Sequence, residues 1–157
     1  MRQSEYNRPM GTSTPRRLAH IKKLVSLYAG LEPGNFINKH LELLRVCTIR
    51  KSIHLPHPHD MVRVYISRKA LKHFVESRTY ELRKRHSPEQ IIENLCFAID
   101  SIKETVTDFD SYELRPPKHL YTKDYSHLGK PQLRIVLEHT GDRLEIISIH
   151  FRERKKK

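Results

Sequence analysis

A chain of 157 residues has room for one domain of ordinary size with its own apolar core, and it excludes two. Thirty Lys and Arg against 18 Asp and Glu give a formal net charge of +12, which points to a polyanionic partner, nucleic acid before an anionic membrane surface. Two cysteines exclude a disulfide scaffold, and no apolar run approaches the roughly 18 residues of a bilayer span, so a cytoplasmic protein with no membrane partner is expected.

Residues 1–14 are polar and carry Pro, Gly, Ser and Thr, the composition of a flexible arm. From Pro15 to Leu31 the apolar positions Leu18, Ile21, Leu24, Val25 and Tyr28 keep a helical period, with Thr14 as N-cap, Pro15 in the first turn, and Gly30 and Pro33-Gly34 as the stop. A second helix is expected over Asn35–Thr48, with Phe36, Ile37, Leu41, Leu44 and Val46 on its apolar side, so residues 15–50 read as a helical hairpin. Both cysteines, Cys47 and Cys96, then fall in helices among apolar neighbours, as small buried thiols. The segment KSIHLPHPHD, residues 51–60, carries two prolines and reads as a linker. Its His54, His57 and His59 raise the question of zinc, but no Cys and no fourth His completes a recognised spacing, and no metal is expected.

Alternation in VRVYIS puts Val62, Val64 and Ile66 on one face of a strand, and Ser67 caps the helix that follows. In that helix Leu71, Phe74, Val75, Arg78 and Leu82 form one stripe, while Lys69, His73, Glu76 and Tyr80 lie on the other side. Ser87-Pro88-Glu89-Gln90 is a capping box ahead of a helix that buries Ile91, Ile92, Leu95, Ala98, Ile99 and Ile102. Between Glu89 and Glu113 the only basic residue is Lys103, so this acidic stretch should face away from a polyanion or toward a basic partner. After Pro116-Pro117 come three strands, HLYTKDY, QLRIVLEH and RLEIISIHF, separated by Gly129-Lys130-Pro131 and the turn Thr140-Gly141-Asp142. The chain closes on a basic tail, residues 155–157.

The order of elements predicts an α+β fold: helices packed on one face of an antiparallel sheet of about four strands, with an N-terminal helical hairpin, and a free face or groove for a ligand. Ser148 and His150 share a face of the last strand. In register with Leu144 and Ile146, His150 has a half-buried strand residue as its competing reading, with function the favoured one, and His73 has that of an exposed helical histidine. A hydroxyl and an imidazole on a cationic sheet suit ribonuclease chemistry without metal, because histidine moves protons near neutral pH and Lys and Arg hold phosphate.

The stretches VYISRKALKHFVESR, LYTKDY and LRIVLEHTGDRLEIISIHF, with the spacing between them, resemble the phage-associated branch of the barnase, EndoU, colicin and RelE-like ribonuclease superfamily over about Val62 to Arg154. The resemblance implies a ribonuclease-type domain over residues 61–154, an intracellular toxin-like or phage-encoded endoribonuclease that works on tRNA, mRNA or rRNA without cofactor or metal, with an antitoxin or immunity protein as a further partner. It implies a His or Lys in the first helix of the domain, where Lys72 and His73 stand, basic or aromatic residues on the middle strands, where Tyr121, Lys123 and Arg134 stand, and a hydroxyl or basic group on the last, at Ser148 and His150.

The reaction so implied is attack of the ribose 2'-hydroxyl on its own 3'-phosphate. His73 and His150 are the expected proton carriers, Lys123, Arg134 and Arg152 the stabilisers of the phosphorane, Ser148 a phosphate ligand and Tyr121 a base-stacking ring. Lys72, Arg78 and Arg143 complete the expected RNA-binding set. The alternative is a non-catalytic basic module that binds RNA, DNA or a regulatory partner, although the aromatic strand signature of common RNA-recognition domains is absent.

Overall fold

A computed structural model describes residues 10–31, 42–55 and 57–152, with side chains described from Arg16 onward. Helix α1 (Met10–Ala29) buries Ile21, Leu24, Val25 and Tyr28, the stripe its period dictates, and Gly30 follows its last turn. It starts ahead of the expected N-cap: the chain is helical on both sides of Pro15, which can make no bond to the Gly11 carbonyl, so residues 10–14 belong to the helix and not to an arm, and residues 1–9 lie outside the described residues.

The second helix of the expected hairpin is corrected. Leu43–Arg50 is a strand, β1, and the remainder of the expected helix, residues 35–41, lies outside the described residues. The β-branched Val46, Thr48 and Ile49 favour a pleated ribbon, and β1 pairs antiparallel with β2 (Met61–Ser67). A bulge breaks its alternation: Arg45 faces Tyr65 and Cys47 faces Val64, so Val46 is the extra residue and Leu44, Val46, Cys47 and Ile49 are all buried. Cys47 is therefore a strand residue, while Cys96 does lie in a helix. Residues 51–60 connect β1 to β2, closed by a bond from Lys51 N–H to the Asp60 carbonyl (2.9 Å), with Leu55 in the core at 2% exposure. They extend one hairpin of the sheet instead of linking two units.

Helix α2 (Arg68–Leu82) starts where Ser67 Oγ accepts from Ala70 N–H at 3.1 Å. Helix α3 (Pro88–Asp100) carries the expected reciprocal cap, Gln90 N–H to Ser87 Oγ at 3.2 Å and Ser87 N–H to Gln90 Oε1 at 2.9 Å. The helical run breaks at Ser101 and resumes as α4 (Ile102–Thr107). Four strands follow: β3 (Ser111–Arg115), β4 (Lys118–Lys123), β5 (Gln132–Thr140) and β6 (Arg143–Arg152). Gly141, at φ 67°, takes the left-handed conformation that the two-residue β5–β6 turn requires.

The fold is α+β, but the sheet has six strands in the order β1-β2-β6-β5-β4-β3 and is mixed, which corrects the expected four-stranded antiparallel sheet. From β2 the chain crosses through α2, α3 and α4 to the far edge and meanders back, so that β6 arrives beside β2 and parallel to it, through Val64↔Leu144 and Tyr65↔Glu145. The two strands not expected from sequence, β1 and β3, are the two edges. All four helices pack on one face, α4 against β1, β4 and β5, α2 against β6, and α1 across α2, α3 and β1. Val62, Val64, Ile66, Leu133, Ile135, Leu137, Leu144 and Ile146 meet Leu71, Phe74, Val75, Leu95 and Ile99 there. Among the described residues no helix covers the other face, and no helix is long and apolar enough to cross a membrane.

Candidate functional site

A second bulge decides which side chains reach the free face. On β6, Ile146 pairs with Leu137 and Ser148 with Val136, so Ile147 has no partner on β5. Leu144 and Ile146 face the core; after the bulge Ile149 does, at 2% exposure, and Ser148 and His150 turn to the other side. The expected register of His150 with Leu144 and Ile146 is thereby corrected. Residues opposite one another share a face, so Thr122, Arg134 and His150 form one row across β4, β5 and β6, and Leu120, Val136 and Ser148 form the next. Because β2 pairs with β6 only as far as Glu145 and turns into α2 at Ser67, the later part of β6 is flanked by α2, whose Arg78 reaches His150.

These elements enclose a cavity of about 790 Å³. Among the described residues five cationic side chains line it, Arg78, Arg115, Lys118, Arg134 and Arg152, against one carboxylate, Glu81, together with Ser148 and His150. Arg78 Nη1 lies 3.2 Å from His150 Nδ1. A guanidinium can only donate, so Nδ1 accepts, the ring is neutral, and its proton sits on Nε2, which donates to Ser148 Oγ at 2.9 Å. Burial, and then the Arg78 and Arg134 guanidinium groups, hold the His150 pKa below the ordinary histidine range. Arg78 itself is 8% exposed and pairs with Glu81 (3.4 Å), while Arg134 Nε donates to Thr122 Oγ1 (3.2 Å). Burial and the neighbouring Arg152 lower the Arg134 pKa, yet a guanidinium stays charged; Glu113, ion-paired with Arg115, and Glu81, paired with Arg78, offset part of the charge, and the cavity keeps an excess of cations. Such a site suits an oxyanion that accepts from several donors at once.

Of the residues singled out by sequence, Arg78, Arg134, Ser148, His150 and Arg152 come together in this cavity. His73 does not: it is exposed on α2, its ring nitrogen 3.5 Å from Ser77 Oγ. Lys123 is on the helix-covered face, where Nζ donates to the Asp108 carbonyl (2.8 Å) and carboxylate (3.3 Å). Tyr121 is fully buried on that face, 5.0 Å ring to ring from Phe109 and from Tyr112, so it cannot stack on a base. Lys72 is 5% exposed and pairs with Glu76 at 3.1 Å. Arg143 starts β6 beside Glu145, in a different cavity and, seven residues from His150, roughly 20 Å along the strand.

Sequence reasoning missed Glu81, Arg115 and Lys118. Glu81 had a signal, its i+3 spacing from Arg78; Arg115 and Lys118 depend on the β3–β4 hairpin, whose outer strand is almost wholly exposed. In the β1–β2 connection His57 has both nitrogens engaged, Nε2 to the Asp142 carbonyl (2.8 Å) and Nδ1 from His59 N–H (3.1 Å), and His54 stacks on Tyr112 at 4.2 Å. No group of three or more His, Cys, Asp or Glu that could hold a metal occurs among the described residues.

No family model, no curated protein and no solved structure matches the chain. Fold and site by themselves define an α+β protein with a cationic cavity where the helix-free face of a mixed sheet meets the last turns of α2.

Proposed function

We propose that this chain is a metal-independent endoribonuclease of the kind its sequence resembles, acting on an RNA phosphodiester held in the 790 Å³ cavity. One observation carries the reading: a hydroxyl, an imidazole and three guanidinium groups from α2, β5 and β6 converge on one cavity wall. The 2'-oxygen attacks phosphorus, the bond from phosphorus to the 5'-oxygen breaks, and a 2',3'-cyclic phosphate and a 5'-hydroxyl result. Arg134 and Arg152 hold the phosphate and, with Arg78 behind them, stabilise the phosphorane as negative charge accumulates. Ser148 and the Nε2–H of His150 donate to its oxygens as fixed neutral groups. The His150 role therefore differs from the proton shuttle expected from sequence, because the donor at Nδ1 and the lowered pKa both disfavour imidazolium. Glu81, the one carboxylate among the described residues that line the cavity, accepts the 2'-hydroxyl proton, and the leaving 5'-oxygen takes its proton from solvent.

A second reading, RNA binding without cleavage, is favoured by that same Nδ1 contact, which spends the imidazole on recognition. Total RNA incubated with the protein in EDTA decides between them, beside folded Arg134→Ala, His150→Ala and Glu81→Gln variants. Cyclic-phosphate ends that all three variants reduce support the ribonuclease. Intact RNA bound in a salt-sensitive way supports the second reading, and RNA neither cut nor bound refutes both.

A further inference from the structure

The cationic cavity does not end at Arg152. A second cavity of about 460 Å³ adjoins it, and Glu81, Phe151 and Arg152 line both. Its outer wall is the α2–α3 turn, with Lys84, Arg85 and His86, and it is closed from the other side by Gly129 and Pro131 ahead of β5. The turn is fixed by its backbone: Arg85 N–H and His86 N–H both donate to the Leu82 carbonyl at 3.0 Å, and Ser87 caps α3 immediately afterwards. Phe151, braced edge-on against Phe74 at 6.2 Å, gives the shared wall an apolar surface between the two groups of cations. Among the described residues Glu81 is the only carboxylate lining either cavity.

We propose that the two cavities form one track for a single-stranded polyribonucleotide, in which the α2–α3 turn holds the phosphates that flank the scissile one; this deepens the ribonuclease reading and rests on it. A lone phosphate occupies one cavity and brings no phosphate to the other, whereas a strand that carries a phosphate on every nucleotide reaches the cations of both in sequence. Phe151 lies where the ribose and base between two such phosphates pass, and its face accepts any base. Volumes of 790 and 460 Å³ admit a nucleotide or two each and no duplex. The chemistry thus selects unpaired RNA, with length adding affinity beyond the dinucleotide that spans the cleaved bond.

The test is fluorescence anisotropy on the full chain with 2'-O-methyl oligouridylates of two and eight nucleotides, which bind without being cleaved. The wild type binds the octamer more tightly than the dimer and with the steeper salt dependence. Lys84→Ala/Arg85→Ala lowers the octamer's slope by about 0.7 for each phosphate that the turn no longer neutralises. For two such phosphates, a rise from about 50 to 200 mM salt weakens octamer binding roughly sevenfold less than in the wild type. Lys84→Arg/Arg85→Lys keeps the slope, which separates a charge effect from a folding defect, and Arg134→Ala weakens both lengths. An octamer affinity and slope unchanged in Lys84→Ala/Arg85→Ala overturns the track while leaving the first cavity intact. A wild type that binds neither length removes the ribonuclease reading and the track with it. Displacement of the octamer by polyglutamate as readily as by oligouridylate assigns the second cavity to an acidic peptide and overturns the proposal.

Discussion

Deletion of Ile147 tests whether the bulge in β6 is what presents Ser148 and His150. The pairs Leu137↔Ile146 and Val136↔Ser148 are already consecutive on β5, so removal of the unpaired residue joins two registered segments into a regular strand and leaves Arg134 opposite His150. The cost is the burial that Ile147 loses. At 37% exposure it is about two thirds covered, and with roughly 1.5–3 kcal/mol for a fully buried side chain of this size the loss is about 1–2 kcal/mol. A regular strand that retained Ile147 would place Ser148 opposite Ile135 and His150 opposite Leu133, facing the core, and would turn Ile149 and Phe151 outward. Exposure of the buried Ile149 and of the half-buried Phe151 costs about 2–4 kcal/mol before the burial of a hydroxyl and an imidazole is counted. The bulge therefore wins by a few kcal/mol, a large fraction of the stability of a small domain.

Thermal denaturation should show a fall in Tm of roughly 2–8 °C, at about 2–4 °C per kcal/mol for a chain of this length. NMR should retain the cross-strand proximity of Arg134 and His150. Its disappearance in a folded deletion variant, or outright unfolding, refutes the assignment of Ile147 as the extra residue.

Burial lowers the pKa of His119, His139 and His150, with His139 and His54 adding to it at His119, His57 at His139, and Arg78 and Arg134 at His150. The unfolded chain then binds protons that the folded one refuses, so stability should fall as pH drops through the ordinary histidine value of about 6.5. Urea midpoints measured from pH 8 down to 5 check this, and His119→Gln/His139→Gln should flatten the slope; an equally steep profile would sink the attribution. Arg78→Met removes the cation at Nδ1, and NMR titration should place the His150 pKa higher than in the wild type, with an unmoved value refuting the guanidinium as a cause. Burial pushes the Cys47 thiol up to about 12, so a thiol reagent should modify the half-buried Cys96 first and Cys47 only as fast as the chain opens, and equal rates would contradict the buried strand.

Elements specified by local chemistry are legible in the sequence. Ser67 and Ser87 with Gln90 mark helix starts through bonds made within three residues, and α2 and α3 begin where those signals stand. β2, most of β5 and most of β6 keep a period of two and read as strands, and β4 reads as one through its Tyr121 and Thr122 after the break at Pro116-Pro117. β1 does not, because the bulge at Val46 sets buried residues at 44, 46, 47 and 49, and the broken alternation passes for part of a helical stripe. β3 escapes notice for a different reason: Tyr112 and Leu114 do alternate with polar residues, but five residues at an exposed edge give only two apolar positions, too short a period to stand out beside the preceding helix. The parallel contact between β2 and β6 joins residues eighty apart in the chain, and no local period encodes it.

The site divides along the same line. Ser148 and His150 are two residues apart on one strand, and that relation survives the bulge because both follow it. Whether Tyr121, Thr122 or Lys123 joins them depends on register across β5, where Arg134 meets Thr122; the neighbours on either side, Tyr121 and Lys123, are thereby sent to the helix-covered face. On α2 the informative signal is a charge on an apolar stripe, since a buried cation needs a partner. Lys72 finds one a turn later in Glu76, and the pair closes on itself. Arg78 has Glu81 within reach as well, but its guanidinium carries enough donors to serve Glu81 at 3.4 Å and His150 at 3.2 Å together. That surplus of donors is what draws a helix residue into a site built on strands, and it distinguishes Arg78 from the lysine six residues before it.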